Sequence, residues 1–530
     1  MIVAREARGD GSALQRTSEP SRLDAHLEDA AHVPGGHACA LAIPQNEAAV
    51  ARALADASQV LTFGAQSSLT GGATPRGDLL LSTERLRTLE VRDDGMVRVG
   101  AGVTIADLDA RLRQHGRLYP PAPTWHGASV GGTIATNAAG AATFKYGSTR
   151  AWVEALTVVL ASGAVLDLHR GATRAHDAGF VDVALPDRTV RVPLPTYRMP
   201  QVPKVSAGYY AAPGMDVIDL FIGSEGTLGV IVEATLRTLA TRPEQCLVFA
   251  TFPTREAAVA CVGALRDEAR RTWGGHDEGG LDVSAVEHMD ARSLDVVRED
   301  GVDRKLGVAL PADAAIGLLI TVELAAGTSA EDTYRALAGE PASSRLDGLT
   351  RLVELLGRFG ADDAQVAAPG DAAAAERLLA LREAVPLGVN RRVGEARRLV
   401  DPRIEKTAAD TIVPFEHVAT MLDRYDEELK RRGLDGAVWG HISDGNVHPN
   451  VIPRNFSDVE SGREAVKAFG REAIRLGGSP LAEHGVGRNP TKQGLLVDLY
   501  GEDGVAQMRR VKAALDPDWK LARGVIFPMP

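Results

Sequence analysis

Four residues late in this 530-residue chain have the types and spacing for chemistry: His441, His448, Glu483 and His484. The stretch GHISDGNVHPN sets two imidazoles seven positions apart, flanking a turn of Ser443, Asp444, Gly445 and Asn446. Further on, AEHGVG adds a carboxylate next to a third imidazole. His441, His448 and Glu483 together make a three-ligand set with coordination positions left open. Such a set suits zinc and equally the facial triad of non-haem iron. A solitary histidine more often satisfies a structural hydrogen bond, and that reading stays open for each of them. Glu483 and His484 are neighbours, so both can serve one site only if the backbone aims them apart, which Gly485 permits.

A second kind of pattern fills the first half. GAQSSLTGGATP (64–75) follows a short apolar run, and its small residues let backbone N–H groups approach a bound anion closely. It is neither GxGxxG nor a P-loop. PPAPTWHGASVGGTIATNAAGAATFKYGSTR (120–150) has too few bulky side chains for a good core and would bed an extended cofactor. DLFIGSEGTLGVIVEATLRT (219–238) places Gly223, Gly226 and Gly229 around a turn that enters a strand. Taken singly, each stretch also reads as an ordinary small-residue loop or turn. Trp125 and Trp439 read as packing residues rather than as stacking partners of a ring.

These groups need elements to position them. Helices are expected over 44–58 and over 104–116, the second with Thr104 as N-cap and Gly116 as its stop. Strands are expected at 60–63 and 229–240, and a hairpin over 152–168 turns at Ser162-Gly163. Residues 169–213 read as a long polar surface excursion. After Arg242-Pro243 come strands 246–252, 281–287 and 316–324 with helices 254–270 and 330–338, the pattern of an antiparallel sheet with helices on one face. Helices 371–384, 416–432, 456–476 and 503–515 follow. The domain reading is a polar leader at 1–37, a first domain at 38–240 and a second at 241–530.

Composition bounds the function. With 45 % hydrophobic and 24 % charged residues the chain reads as an ordinary globular protein. A net charge of −11 argues against nucleic acid. The three cysteines form no CxxC pair, which argues against a disulfide framework and an iron–sulfur cluster. No run reaches the ~18 apolar residues of a membrane span, and the N-terminal residues lack a secretory pattern. The expectation is a cytoplasmic protein, with peripheral attachment to a membrane left open.

The order of GAQSSLTGGA, PPAPTWHGASVGGTIATNAAG…FKYG, GYY…DLFIGSEGTLGVI, GHISDGNVHPN and EHGVG resembles the FAD-linked 2-hydroxyacid dehydrogenases. This is the family of the flavin-bearing glycolate oxidase chain and of the D-lactate and D-2-hydroxyglutarate dehydrogenases, within the vanillyl-alcohol-oxidase (PCMH) type of flavoprotein. The resemblance runs over most of residues 38–527. It implies an α+β fold: a two-subdomain FAD-binding domain, a cap with an antiparallel sheet, and a C-terminal helical segment. It implies FAD held by Gly64, Ala65, Gln66, Ser67, Ser68 and Gly71; by Pro120, Ser129, Gly132, Thr133, Thr136, Asn137 and Gly140; and by Glu225, Gly229, Val230 and Ile231. Asn446 would approach the flavin or brace its turn. The loop has no histidine, so the flavin is expected to be non-covalent; His126 is the nearest alternative tether.

The resemblance further implies a divalent metal, zinc or manganese, on His441, His448 and Glu483. His484 would be the base and Asn450 a substrate contact. Arg382 would anchor the substrate carboxylate, with Lys406 as second choice. A helix-surface role for Arg382 is the competing reading, and Arg391 and Arg392 read as solvent-facing. The chain departs from the family at Phe63, where arginine often starts the loop, at Gln66, in place of a usual glycine, and at Pro386, where relatives often carry a hydroxyl residue. The implied reaction is oxidation of a small D-2-hydroxy acid. Its electron acceptor would be a quinone, a cytochrome, an iron–sulfur subunit or oxygen, and a homodimer is an assembly open to it. Two other readings compete: a metal-dependent hydrolase or oxygenase built on the late histidines, and an FAD-binding chain that works only beside an electron-transfer partner.

Overall fold

The computed structural model describes residues 1–340, 343–361 and 363–529. The chain divides into two units: Met1–Gly140 with Gly147–Ala240 and Ser479–Pro530, and Ala141–Tyr146 with Thr241–Gly478.

The first unit holds two main sheets. Leu14–Thr17, His37–Pro44, Arg76–Ser82 and Val60–Phe63 form one, parallel except for the Leu14–Thr17 edge. Leu79, Leu80 and Leu81 are all buried, as a strand covered on both faces requires. The second sheet is antiparallel, in the order Leu89–Val91, Val97–Gly100, Val230–Leu236, Val153–Val159 and Val165–His169. In Val230–Leu236 the buried residues alternate with half-buried Glu233 and Thr235, the period of a strand with one face on the core. Ile105–Arg113 is a helix whose Thr104 side chain accepts the Asp107 N–H, the expected cap.

Two stretches differ from the sequence reading. Residues 1–37, read as a leader, are built into the first unit: Leu14–Thr17 extends a sheet, and Ile2 and Leu23 are buried. The excursion at 169–213 contains the hairpin Phe180–Ala184 and Thr189–Pro193, joined by Ile2–Val3 as a parallel third strand. The chain's last residues also return here. Ala522 donates to Val60 O and Val60 to Lys520 O, so the C-terminus runs beside the edge strand Val60–Phe63. The reason is edge satisfaction: that strand's outer backbone groups would otherwise lack partners.

The second unit is built on an antiparallel sheet in the order Gln365–Ala367, Glu244–Phe252, Ile316–Leu324, Val283–Asp290, Gly436–His441, Asn446–Val451 and Thr407–Ala408, with Thr411–Ile412 also on Asn446–Val451. This is the antiparallel sheet expected after residue 242. Helices Arg255–Gly275, Ala372–Leu399, Val418–Arg431 and Phe456–Arg475 accompany it. Ala372–Leu399 runs well past the expected end, with Pro386 inside it. Proline has no N–H for the carbonyl four residues back, which is that of Arg382.

His288, on Val283–Asp290, is fully buried. Burial, and then the nearby Arg255 guanidinium, pull its imidazole down to about 4. Between pH 6.5 and 4 the unfolded chain therefore takes up a proton that the folded chain refuses, and stability falls as pH falls. From pH 7 to pH 5 the native chain is expected to lose about 2 kcal/mol more than His288→Leu. Urea midpoints of the two proteins at both pH values check this; parallel losses refute it.

Candidate functional site

Each unit carries its own set of candidate groups. The first unit contains a cavity of about 330 Å³. Its wall comes from the three small-residue stretches, Thr62 to Ala73, Pro123 to Ala139 and Glu225 to Ile231, with Glu483, His484 and Val525. Thirteen of the expected cofactor residues line it: Gly64, Ala65, Gln66, Ser67, Ser68, Ser129, Gly132, Thr133, Thr136, Glu225, Gly229, Val230 and Ile231. Tight packing against neighbouring side chains explains two of the glycines. A Cβ on Gly64 would overlap Ser129 Oγ, and one on Gly229 would overlap Val158. Ser129 caps the short helix Val130–Ala135, its Oγ accepting the Gly132 N–H at 3.2 Å.

The other expected cofactor residues have different surroundings. Gly71 faces Val33, and Pro120 is buried outside the lining. A side chain on Gly140 would run into Ala122 O. Asn137 adopts φ 49° and is spent on the backbone, donating to Val205 O and accepting from Arg150 N. Asn446 lies in the second unit, where its Nδ2 donates to Thr411 O at 2.8 Å and so braces the turn.

At one part of the cavity wall, the AEHGVG loop is held by groups far away in sequence. Buried Lys204 sets its Nζ 2.7 Å from Glu483 Oε2. His484 Nε2 lies 3.5 Å from Glu483 Oε1. Ser206 Oγ accepts the Gly485 N–H at 3.0 Å. Glu225 accepts the N–H groups of Val486 and Gly487 at 2.8 and 2.9 Å. Burial pushes the Glu225 carboxyl up to about 7, against the pull of those two amides. Gly485 takes φ 76°, the left-handed turn that lets adjacent side chains diverge.

In the second unit, strand register gathers the late histidines. Trp439 pairs with His448 and His441 with Asn446, while Glu287 on the neighbouring strand pairs with His441. Directly paired residues share a sheet face, so Glu287, His441, Asn446 and His448 project from the same side. The two imidazoles lie 5.8 Å apart, centroid to centroid, and perpendicular. Gly445 closes the turn at φ 90°, where a Cβ would collide with Val413 O. Ser443 Oγ pins the turn by accepting the Val286 N–H.

Glu287 holds two of the expected residues. Its Oε1 lies 3.0 Å from His441 Nδ1, and its Oε2 accepts from Arg382 Nη2 at 3.1 Å. Burial works to raise this carboxyl, but the Arg382 guanidinium and His441 outweigh it and hold it well below the usual range. Glu287 is therefore ionised, and it fixes the His441 ring with Nδ1 toward the carboxylate and Nε2 turned away from it. A carboxylate behind a histidine is the usual support of a metal ligand. Asp410 stands 3.5 Å from His448 Nδ1. The buried His441 imidazole, backed by Glu287, has the chemistry of a divalent-cation ligand. Asn450 donates to His448 O, and its Oδ1 is buried without a hydrogen-bond partner among the described residues. Lys406 is half-buried ahead of Thr407–Ala408.

Sequence reasoning missed Lys204, Glu287 and Asp410. Nothing in their local patterns marks them; each is identified by a partner at least 38 residues away or across a strand.

Two family models match the chain: an FAD binding domain over residues 38–169 and the C-terminal domain of FAD linked oxidases over residues 241–526. A D-2-hydroxyglutarate dehydrogenase of Xanthomonas citri pv. viticola is 28 % identical, over 97 % of this chain and 94 % of that one. A D-lactate dehydrogenase of Archaeoglobus fulgidus is 28 % identical, over 86 % and 83 %. Glycolate oxidase subunit GlcD of Bacillus subtilis is 27 % identical, over 92 % and 88 %. A solved alkyldihydroxyacetonephosphate synthase shares the fold with a TM-score of 0.61 at 15 % identity, covering 96 % of this chain and 82 % of its own.

Proposed function

The chain belongs to the FAD-linked oxidases, as an FAD-linked oxidoreductase of the 2-hydroxyacid dehydrogenase family, and from that premise we propose that it oxidises a small D-2-hydroxy acid of the lactate type to the 2-oxo acid. The observation that carries the proposal is the cavity whose wall combines the small-residue stretches with Glu483 and His484.

The oxidation removes a hydride from Cα and a proton from the hydroxyl of the substrate. FAD supplies the hydride acceptor, at N5 of its flavin. The loop Gly64 to Ser68 would hold its diphosphate, with Ser129, Gly132, Thr133 and Thr136 nearby, and Val230 and Ile231 would line the adenine side. His484 accepts the hydroxyl proton on its imidazole. Arg382 turns its other N–H donors to the substrate carboxylate, with Lys406 as a second cation and Asn450 as a polar contact. His441, His448 and Glu483 would hold zinc or manganese, which supplies Lewis acidity that lowers the hydroxyl pKa. Glu287, on the Nδ1 side of His441, would leave Nε2 as the coordinating atom.

Among the described residues no helix is long and apolar enough to cross a membrane. The proposed setting is the cytoplasm, with electrons leaving to a quinone, a cytochrome, an iron–sulfur partner or oxygen.

The test is an anaerobic substrate panel on the yellow holoprotein: D-lactate, glycolate, D-2-hydroxyglutarate and bulkier 2-hydroxy acids, following loss of the flavin absorption band. Bleaching by a D-lactate-like acid and not by its L-enantiomer is expected; no bleaching by any acid refutes the reading. Metal analysis of His441→Ala against the native chain tests the ligand set separately. Bound metal is expected to fall, and unchanged stoichiometry removes His441 from it.

A further inference from the structure

Residues 24–33 precede the segment that matches the FAD-binding family model, which begins at residue 38. They nonetheless pack along the glycine-rich loop that lines the cavity. Gln66, in that loop, adopts φ 50°, the left-handed conformation that glycine takes freely and other residues resist. A left-handed residue within a turn is what curls successive N–H groups into an anion-binding nest. Here a non-glycine residue must be held there.

The holding groups come from residues 24–33. Gln66 Nε2 donates to His26 O at 2.9 Å and to Ala73 O at 3.0 Å. Gln66 Oε1 and His26 Nδ1 lie 3.0 Å apart. Ala30 N donates to Gln66 O at 3.0 Å. At the far end of the loop, buried Asp29 accepts the Ala73 N–H at 3.1 Å, and its own N–H donates to Thr74 Oγ1. The His26 ring packs on Phe63, the last strand residue before the loop, at 5.0 Å. Both ends of the loop are thus bonded on one side to a single short segment, while Gly64 to Leu69 line the cavity.

We infer that residues 24–33 are a strap that retains FAD, with His26 and Asp29 as positioning residues that keep Gln66 left-handed and the loop's N–H groups directed at the diphosphate. The inference rests on the proposed role of this loop in holding the diphosphate. The strap does through side-chain bonds what a glycine at position 66 would do through conformational freedom.

The test is FAD retention by the full chain. Gln66→Ala keeps the unfavourable conformation and loses its side-chain bonds, so FAD should bind roughly 10–100-fold more weakly, as for the loss of two or three hydrogen bonds. His26→Ala and Asp29→Ala should weaken binding in the same direction. Gln66→Gly should recover part of the loss, a rescue that a merely structural role for the side chain does not predict. Affinity is read by titrating apoprotein with FAD, and release by the rise in flavin fluorescence on dilution. A second measurement needs no variant: trypsin cleavage of the native chain at Arg22, which is exposed, should slow when FAD is bound. A native chain that takes up no FAD overturns the reading of the loop and the strap with it. A native chain that binds FAD, with the variants binding it equally well or cleavage at Arg22 indifferent to FAD, overturns the strap alone.

Discussion

His484→Ala will bind FAD as the native chain does and reduce it about 10²–10⁴-fold more slowly, the range of a lost general base. Its loop makes the substitution clean. The backbone on the C-terminal side of His484 is fixed by Ser206 and Glu225 through the N–H groups of Gly485, Val486 and Gly487, none of which involves the imidazole. Removing the ring should leave the backbone of this part of the cavity wall in place and take away the proposed proton acceptor together with its 3.5 Å contact to Glu483. Added imidazole should then restore part of the rate. Anaerobic rapid mixing with the best acid of the panel reads the flavin reduction rate directly. A variant reducing within a few-fold of the native rate would show that the proton leaves by another route.

The second large effect is on stability. Lys204→Met leaves the Glu483 carboxylate without its ammonium partner in a buried setting, and breaking a buried pair from one side costs about 3–5 kcal/mol. For a unit of this size that corresponds to a fall on the order of 10 °C in the unfolding temperature. The double variant Lys204→Met/Glu483→Gln removes the stranded charge as well and should recover much of the loss. Thermal unfolding of the three proteins, followed by circular dichroism, measures it. A single variant as stable as the native chain would mean that Glu483 is neutralised by something other than Lys204.

Much of the architecture is legible in one dimension because it follows from local rules. Thr104 caps its helix as a threonine ahead of an amphipathic run should, and Ser162-Gly163 turns the hairpin Val153–Val159 and Val165–His169. The DGN turn likewise reports a glycine that no other residue could replace, Gly445 at φ 90°. The long polar stretch at 169–213 hid the hairpin Phe180–Ala184 and Thr189–Pro193, whose strands are short and carry charged residues on their exposed sides. The helix expected over 371–384 instead runs from Ala372 to Leu399 through Pro386, because buried residues on both sides, Leu381 and Val385 before it and Val389 and Val393 after it, hold one apolar face across the interruption.

By itself the amino-acid sequence determined the family the chain belongs to and marked the small-residue stretches that line the cavity, while the imidazoles and carboxylate it offers for proton and metal work are proposals. Tertiary structure alone decided what each of those groups is bonded to. Glu287 occupies part of the Arg382 fork and orients His441, Lys204 neutralises Glu483, and His26 with Asp29 secures the loop around Gln66. Periodicity and turn chemistry act over a few residues and leave a mark in the order of the chain. An ion pair between residues 279 positions apart depends on which surfaces the folded chain brings together, and no local pattern records that.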